Sequence, residues 1–132
     1  MAIESTFISN PVKTIIVHQT TSTSVSGVGD NNVAGGSCYL VSATINNTAN
    51  GNVAYTKLAN LTNYTAGTDT ADYVLRTPAN GTKTYTFHPP VYFSNGLSFC
   101  TTATAGQAGT TVPNSSSNAL PSVTLILSTS AT

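Results

Sequence analysis

Apolar and β-branched residues come in short runs separated by clusters of Gly, Pro and Asn, and no stretch keeps a helical period over about eleven residues. Such runs predict an all-β protein. The clearest is Ser122 to Ser128, where Val123, Leu125 and Leu127 alternate with Ser122, Thr124, Ile126 and Ser128. Ser37 to Asn46 places Tyr39, Val41, Ala43 and Ile45 on one face. Leu97 to Thr102 pairs Leu97 with Phe99, and Asp72 to Thr77 pairs Tyr73 with Leu75. Thr82 to His88 presents Lys83, Tyr85 and Phe87 together. Ile15 to Gln19, Val53 to Asn60 and Val91 to Phe93 complete the set; for Val53 to Asn60 the pattern leaves open which face is buried.

Pro78 closes the strand before it, because proline cannot donate to a ladder. Asn80-Gly81 then predicts a hairpin turn, since both residues tolerate positive φ, and Asn95-Gly96 offers a second. About seven or eight short strands imply an antiparallel two-sheet β-sandwich, jelly-roll-like. Residues 1–13 are expected to form an extended N-terminal arm, and residues 14–132 a single domain large enough for a core. Two long polar stretches, Thr20 to Gly36 and Ala103 to Asn118, are expected to be loops. There is no internal repeat.

Composition changes the picture in one respect. Only 6% of residues are charged and the formal net charge is zero, against roughly 25% charged in an average soluble domain. The polarity comes instead from 24 Thr, 15 Ser and 13 Asn. Little charge repulsion keeps such molecules apart, which suits a subunit that buries much of its surface in an assembly. Nucleic-acid binding needs a clustered positive footprint, and Lys13, Lys57, Arg76 and Lys83 are scattered. Binding to an anionic membrane is disfavoured for the same reason. The opening "MAIESTFISNPVK" lacks a basic n-region and an apolar h-region, so the product is expected in the cytoplasm of the cell that makes it. There Cys38 and Cys100 are expected as two reduced thiols.

The catalytic inventory is thin. His18 alternates with Ile16 on a strand and reads as structural, and His88 precedes Pro89-Pro90 at a strand end. No G-x-S-x-G, HExxH, paired CxxC or P-loop occurs. Two of the four acids, Asp69 and Asp72, sit three residues apart. They are weak candidates for a cation site, but the further acids of a calcium loop are missing. A carboxylate that caps a turn through backbone N–H groups explains Asp69 more simply, and Asp72 opens the following strand. No enzymatic activity, metal or cofactor is expected.

Several strings occur in a recognisable order: Asn47-Thr48-Ala49, then Tyr55, Lys57 and Leu58, then Gly67 to Thr70, Pro78 to Thr82, and Gly96 to Phe99. Over roughly residues 38–127 this order resembles small virion proteins of tailed bacteriophages, with an N-T-A turn, a Y-x-K-L strand, a G-T-D-T-P loop, a P-A-N-G-T hairpin and a G-L/I-S/A-[FY] strand. Ala71 departs from it where the family has Pro, and Ala59-Asn60 departs where an aromatic and an Asp often follow. The resemblance implies a jelly-roll-like sandwich without enzymatic activity, and among such proteins a capsid decoration or cement role. These proteins bind the outside of the head shell, often as trimers, and clamp neighbouring major capsid proteins. Expected contact residues are Ile3, Phe7, Ile8 and Val12 of the arm, with Tyr92 and Phe93. The alternative is a receptor- or glycan-binding module of a head or tail fibre, with Tyr64 and Tyr92 against sugar.

Overall fold

The computed structural model describes residues 12–18, 28–106 and 121–128. Its strands are β1 (Val12–His18), β2 (Val28–Asp30), β3 (Cys38–Asn46), β4 (Ala54–Asn60), β5 (Tyr73–Thr77), β6 (Thr82–Phe93), β7 (Leu97–Thr102) and β8 (Ser122–Ser128). Three strands carry the core of each sheet, β8-β3-β6 in one and β7-β4-β5 in the other. A fourth lies on one edge of each, giving the orders β1-β8-β3-β6 and β2-β7-β4-β5. All pairs are antiparallel, and no helix occurs among the described residues.

The pairing has a simple logic. β1 pairs with β8, β2 with β7, β3 with β6 and β4 with β5. The chain is thus one long doubled-back ribbon with its bend between β4 and β5. Rolling that ribbon adds the β3–β8 and β4–β7 pairings. This is a jelly roll, and it corrects a detail of the sequence reading. Asn80 does adopt positive φ, at 56°, but the Asn80-Gly81 turn joins β5 to β6, which lie in different sheets. Asn95-Gly96 likewise carries the chain across, from β6 to β7. Neither turn closes a hairpin.

Alternation fixes the core. Val123, Leu125 and Leu127 of β8, Leu97 and Phe99 of β7, Leu58 and Leu75 all point between the sheets. From β3 come Cys38, Leu40, Ala43 and Ile45. The expected face of Tyr39, Val41, Ala43 and Ile45 is broken by a bulge. Leu40 pairs with Leu127 and Ser42 with Ile126, leaving Val41 as the extra residue. One inserted residue switches faces, so Tyr39 turns outward while Ala43 and Ile45 stay inside. On the other side of β3 the register jumps from Val91 to Thr86. Phe87 to Pro90 fill that gap, so two expected strands run together as β6. Its edge position tolerates the prolines.

β2 lies inside the stretch expected to be all loop. Val-Gly-Asp is too short to show alternation, and it is held only by pairing with Thr101, Cys100 and Phe99 of β7. β1 starts at Val12, inside the expected arm, where Val12 pairs with Ser128. At one end of the sandwich two of the quoted strings meet. Asn47 N donates to Gly81 O at 2.8 Å and its side-chain amide to Pro78 O at 3.0 Å, while Asn80 N donates to Asn50 O at 2.9 Å. The N-T-A turn and the P-A-N-G-T turn therefore close one end together.

Candidate interaction face

The two acids serve the β4–β5 connection, residues 61–72. Thr65 N donates to Asp69 Oδ2 at 2.8 Å, and Asn60 N donates to Asp72 Oδ2 at 2.7 Å. Asp72 N also donates to Leu58 O at 2.8 Å, extending the β4–β5 ladder. Each carboxylate is spent on a backbone N–H, as turn chemistry requires. No group of three or more His, Cys, Asp or Glu gathers among the described residues.

This connection folds over the outer face of the β2-β7-β4-β5 sheet. Tyr64 and Ala66 pack on Ala59 and Cys100, with Leu61 and Ala71 beside them. Both faces of β4 are therefore buried, which answers the question its pattern left open. Lys57 is 1% exposed. It pairs across the ladder with Cys100, and its ammonium donates to Gly106 O at 2.7 Å. Burial lowers the Lys57 pKa, and Cys100 opposes that shift. Burial pushes the Cys100 thiol up to about 11, against the pull of Lys57 and Tyr64. Burial first, and then Cys100, raise the Tyr64 phenol to about 12. The Tyr64 hydroxyl is turned toward that thiol, but no well-formed hydrogen bond closes there. Cys38 and Cys100 are both free thiols, and burial also raises Cys38 against a backbone hydrogen bond at Leu97. Protonated buried thiols are poor nucleophiles. The cluster packs one sheet face under its loops, and Tyr64, expected as a sugar contact, lies within it.

The outer face of the other sheet is different. Its residues fall in rows across β8, β3 and β6. Ser122, Asn46 and Thr82 form one row; Thr124, Thr44 and Thr84 the next; Ile126, Ser42 and Thr86 a third; Ser128, Tyr39 and Tyr92 the last. Thr44 and Thr84 share a hydroxyl hydrogen bond of 3.0 Å, and Tyr39 and Tyr92 stack with centroids 4.6 Å apart. None of these twelve residues is charged. An exposed antiparallel face ordinarily carries Lys, Glu and Asp. This one presents hydroxyls, the Asn46 amide, the half-buried Ile126 and one aromatic pair, with Ser128 buried at its end.

Of the expected contact residues, Tyr92 is 52% exposed at the end of this face. Phe93 is 1% exposed and belongs to the core, because the strand alternation that turns Tyr92 outward turns Phe93 inward. Val12 is a strand residue rather than part of an arm, and it occupies the Tyr92 row by register, through Ser128 and Tyr39. Ile3, Phe7 and Ile8 lie outside the described residues. His88 is exposed in the β6 gap opposite Val41. Sequence reasoning missed Tyr39, because the bulge that exposes it has no composition signal. No helix among the described residues is long and apolar enough to cross a membrane. Comparison with protein-family models, curated proteins and solved structures finds no match for the chain.

Proposed function

We propose that this protein is a non-enzymatic decoration or cement protein, which binds the outside of a tailed-phage head and stabilises contacts between major capsid proteins. The observation that carries the proposal is the outer face of β8, β3 and β6, twelve residues in four rows without a charge. An uncharged face docks on another neutral surface without desolvating ions, and within a trimer three linked contacts compensate for a modest contact each. The order of sequence strings supports the phage setting, and trimers at local threefold axes are the expected arrangement. The protein would be made in the host cytoplasm and end on the capsid exterior, in contact with neither nucleic acid nor membrane.

The test is rebinding. Purified protein added to shells stripped of it should bind saturably at hundreds of copies per particle. Thr84→Lys, which places a charge in the middle of the face, should keep the β circular-dichroism spectrum and lose most of the binding. Failure of the unaltered protein to rebind would retire the proposal. The glycan-binding alternative is favoured by one feature, the exposed Tyr92 ring stacked on Tyr39; a handful of copies per virion would support it instead.

A further inference from the structure

The large hydrophobic residues exposed among the described residues are Tyr73, Val74 and Tyr92, at 42%, 44% and 52%. All three lie around one edge of the sandwich. β5 and β6 are the last strands of their sheets, and the Tyr85 hydroxyl contacts Arg76 O across the gap between them. Tyr73 meets the Phe93 ring edge-on at 6.1 Å. Its chain neighbour Tyr92 stacks on Tyr39. Val74 and Tyr73 on one side of this edge, and Tyr92 stacked on Tyr39 on the other, thus flank the buried Phe93 ring. A sheet edge flanked by exposed aromatic rings, with no strand paired to it among the described residues, is a surface that proteins normally cover.

The register says what is at hand to cover it. Val12, where β1 begins, stands in the row Val12–Ser128–Tyr39–Tyr92. Residues 1–11 are therefore joined to the sheet at the row that ends on Tyr92. Three strand spacings separate Val12 from Tyr92, about 14 Å. Eleven extended residues reach about 36 Å, well beyond the width of their own sheet. Pro11 immediately precedes β1 and disfavours a helical turn at Asn10, which suits an extended segment able to use that reach on a neighbouring copy. Its chemistry fits: Ile3 and Phe7 share a side when extended, and its only charged side chain is Glu4, while Arg76 lies two residues from Val74 on the same face of β5.

We propose that residues 1–11 of one copy dock on the Tyr73–Tyr92 edge of a neighbouring copy, so that the chain self-associates by exchanging its N-terminal segments. This goes beyond shell binding and needs no shell, so it can fail while the decoration role stands.

The experiment uses the full chain. Phe7→Cys and Tyr92→Cys are made as separate variants, which are mixed, and also together in one chain, and each sample is oxidised mildly; the native thiols are buried. A disulfide-linked pair formed in the mixture and absent from either variant alone is the expected result. Phe7→Ser and Tyr92→Ser should each weaken self-association roughly tenfold or more by sedimentation equilibrium, with the β spectrum unchanged. Three outcomes overturn the proposal. One is a disulfide that closes only within a single chain carrying both cysteines, which places the segment on its own molecule. The second is a protein that sediments as a monomer at every concentration. The third is self-association unmoved by either serine variant.

Discussion

Lys57 is the residue whose environment departs furthest from its type. A lysine in a strand usually marks a solvated face, yet here loops cover it and Gly106 O receives its ammonium. Nothing in the string Tyr-Thr-Lys-Leu announces this, because the cover comes from residues 61–72 and 103–106, remote in sequence. Two substitutions separate its packing from its charge. Lys57→Ala leaves a cavity under the loops and should cost about 2–4 kcal/mol. Lys57→Met keeps the stem and removes the buried charge, and should stay within about 1.5 kcal/mol of the unaltered protein. Urea melts at neutral pH measure both, and equal losses would contradict this account.

The same cluster sets a response to alkali. The Cys100 thiol holds its proton to about 11 in the folded protein against an ordinary 9.0. A raised acid contributes stability that is complete below its unfolded pKa and is lost as pH rises through the folded one. The loss therefore begins near pH 9 and runs to about 11, followed by Tyr64 between 10 and about 12. Lys57, with its lowered pKa, acts in the opposite sense just below 10.5. The urea midpoint should fall steadily above pH 9, and Cys100→Ala should flatten the first part of that fall. A midpoint unchanged between pH 9 and 11 would show that the thiol is not held in this way.

At the scale of elements, strands were legible wherever alternation was clean. β8 and β7 could be placed, and their inward faces named, from Val123, Leu125, Leu127, Leu97 and Phe99. Where two strands share a local irregularity the pattern misleads, as at Val41, whose bulge turns Tyr39 outward. β2 had no periodicity to detect. The Asn-Gly turns could be located, but turn chemistry says nothing of whether the next strand joins the same sheet. Gly96 illustrates how tightly such a crossing is built. Its φ is 138°, and a Cβ there would stand 2.6 Å from Asn32 Oδ1. Asn32 is itself fixed through its backbone N–H to Ser98 Oγ at 2.9 Å. Gly96→Ala should destabilise by roughly 1–3 kcal/mol, against a near-neutral Gly51→Ala, where a Cβ meets nothing. Thermal melts of the two variants make the comparison.

At the scale of the whole molecule, the two outer sheet faces differ in what covers them among the described residues. One is closed by the chain's own loops over Lys57, Ala59 and Cys100. The other is covered by no loop among the described residues, and its twelve residues across β8, β3 and β6 carry no charge. The low charge was plain from composition; that the uncharged residues gather in four rows on one face required the register. The most direct measurement is a density map of shells to which the protein has been rebound. The account predicts a jelly roll on the outer surface with the Thr44–Thr84 face turned onto the major capsid protein. A protein bound with that face open to solvent, or held to the shell through its loop-covered sheet, would contradict it.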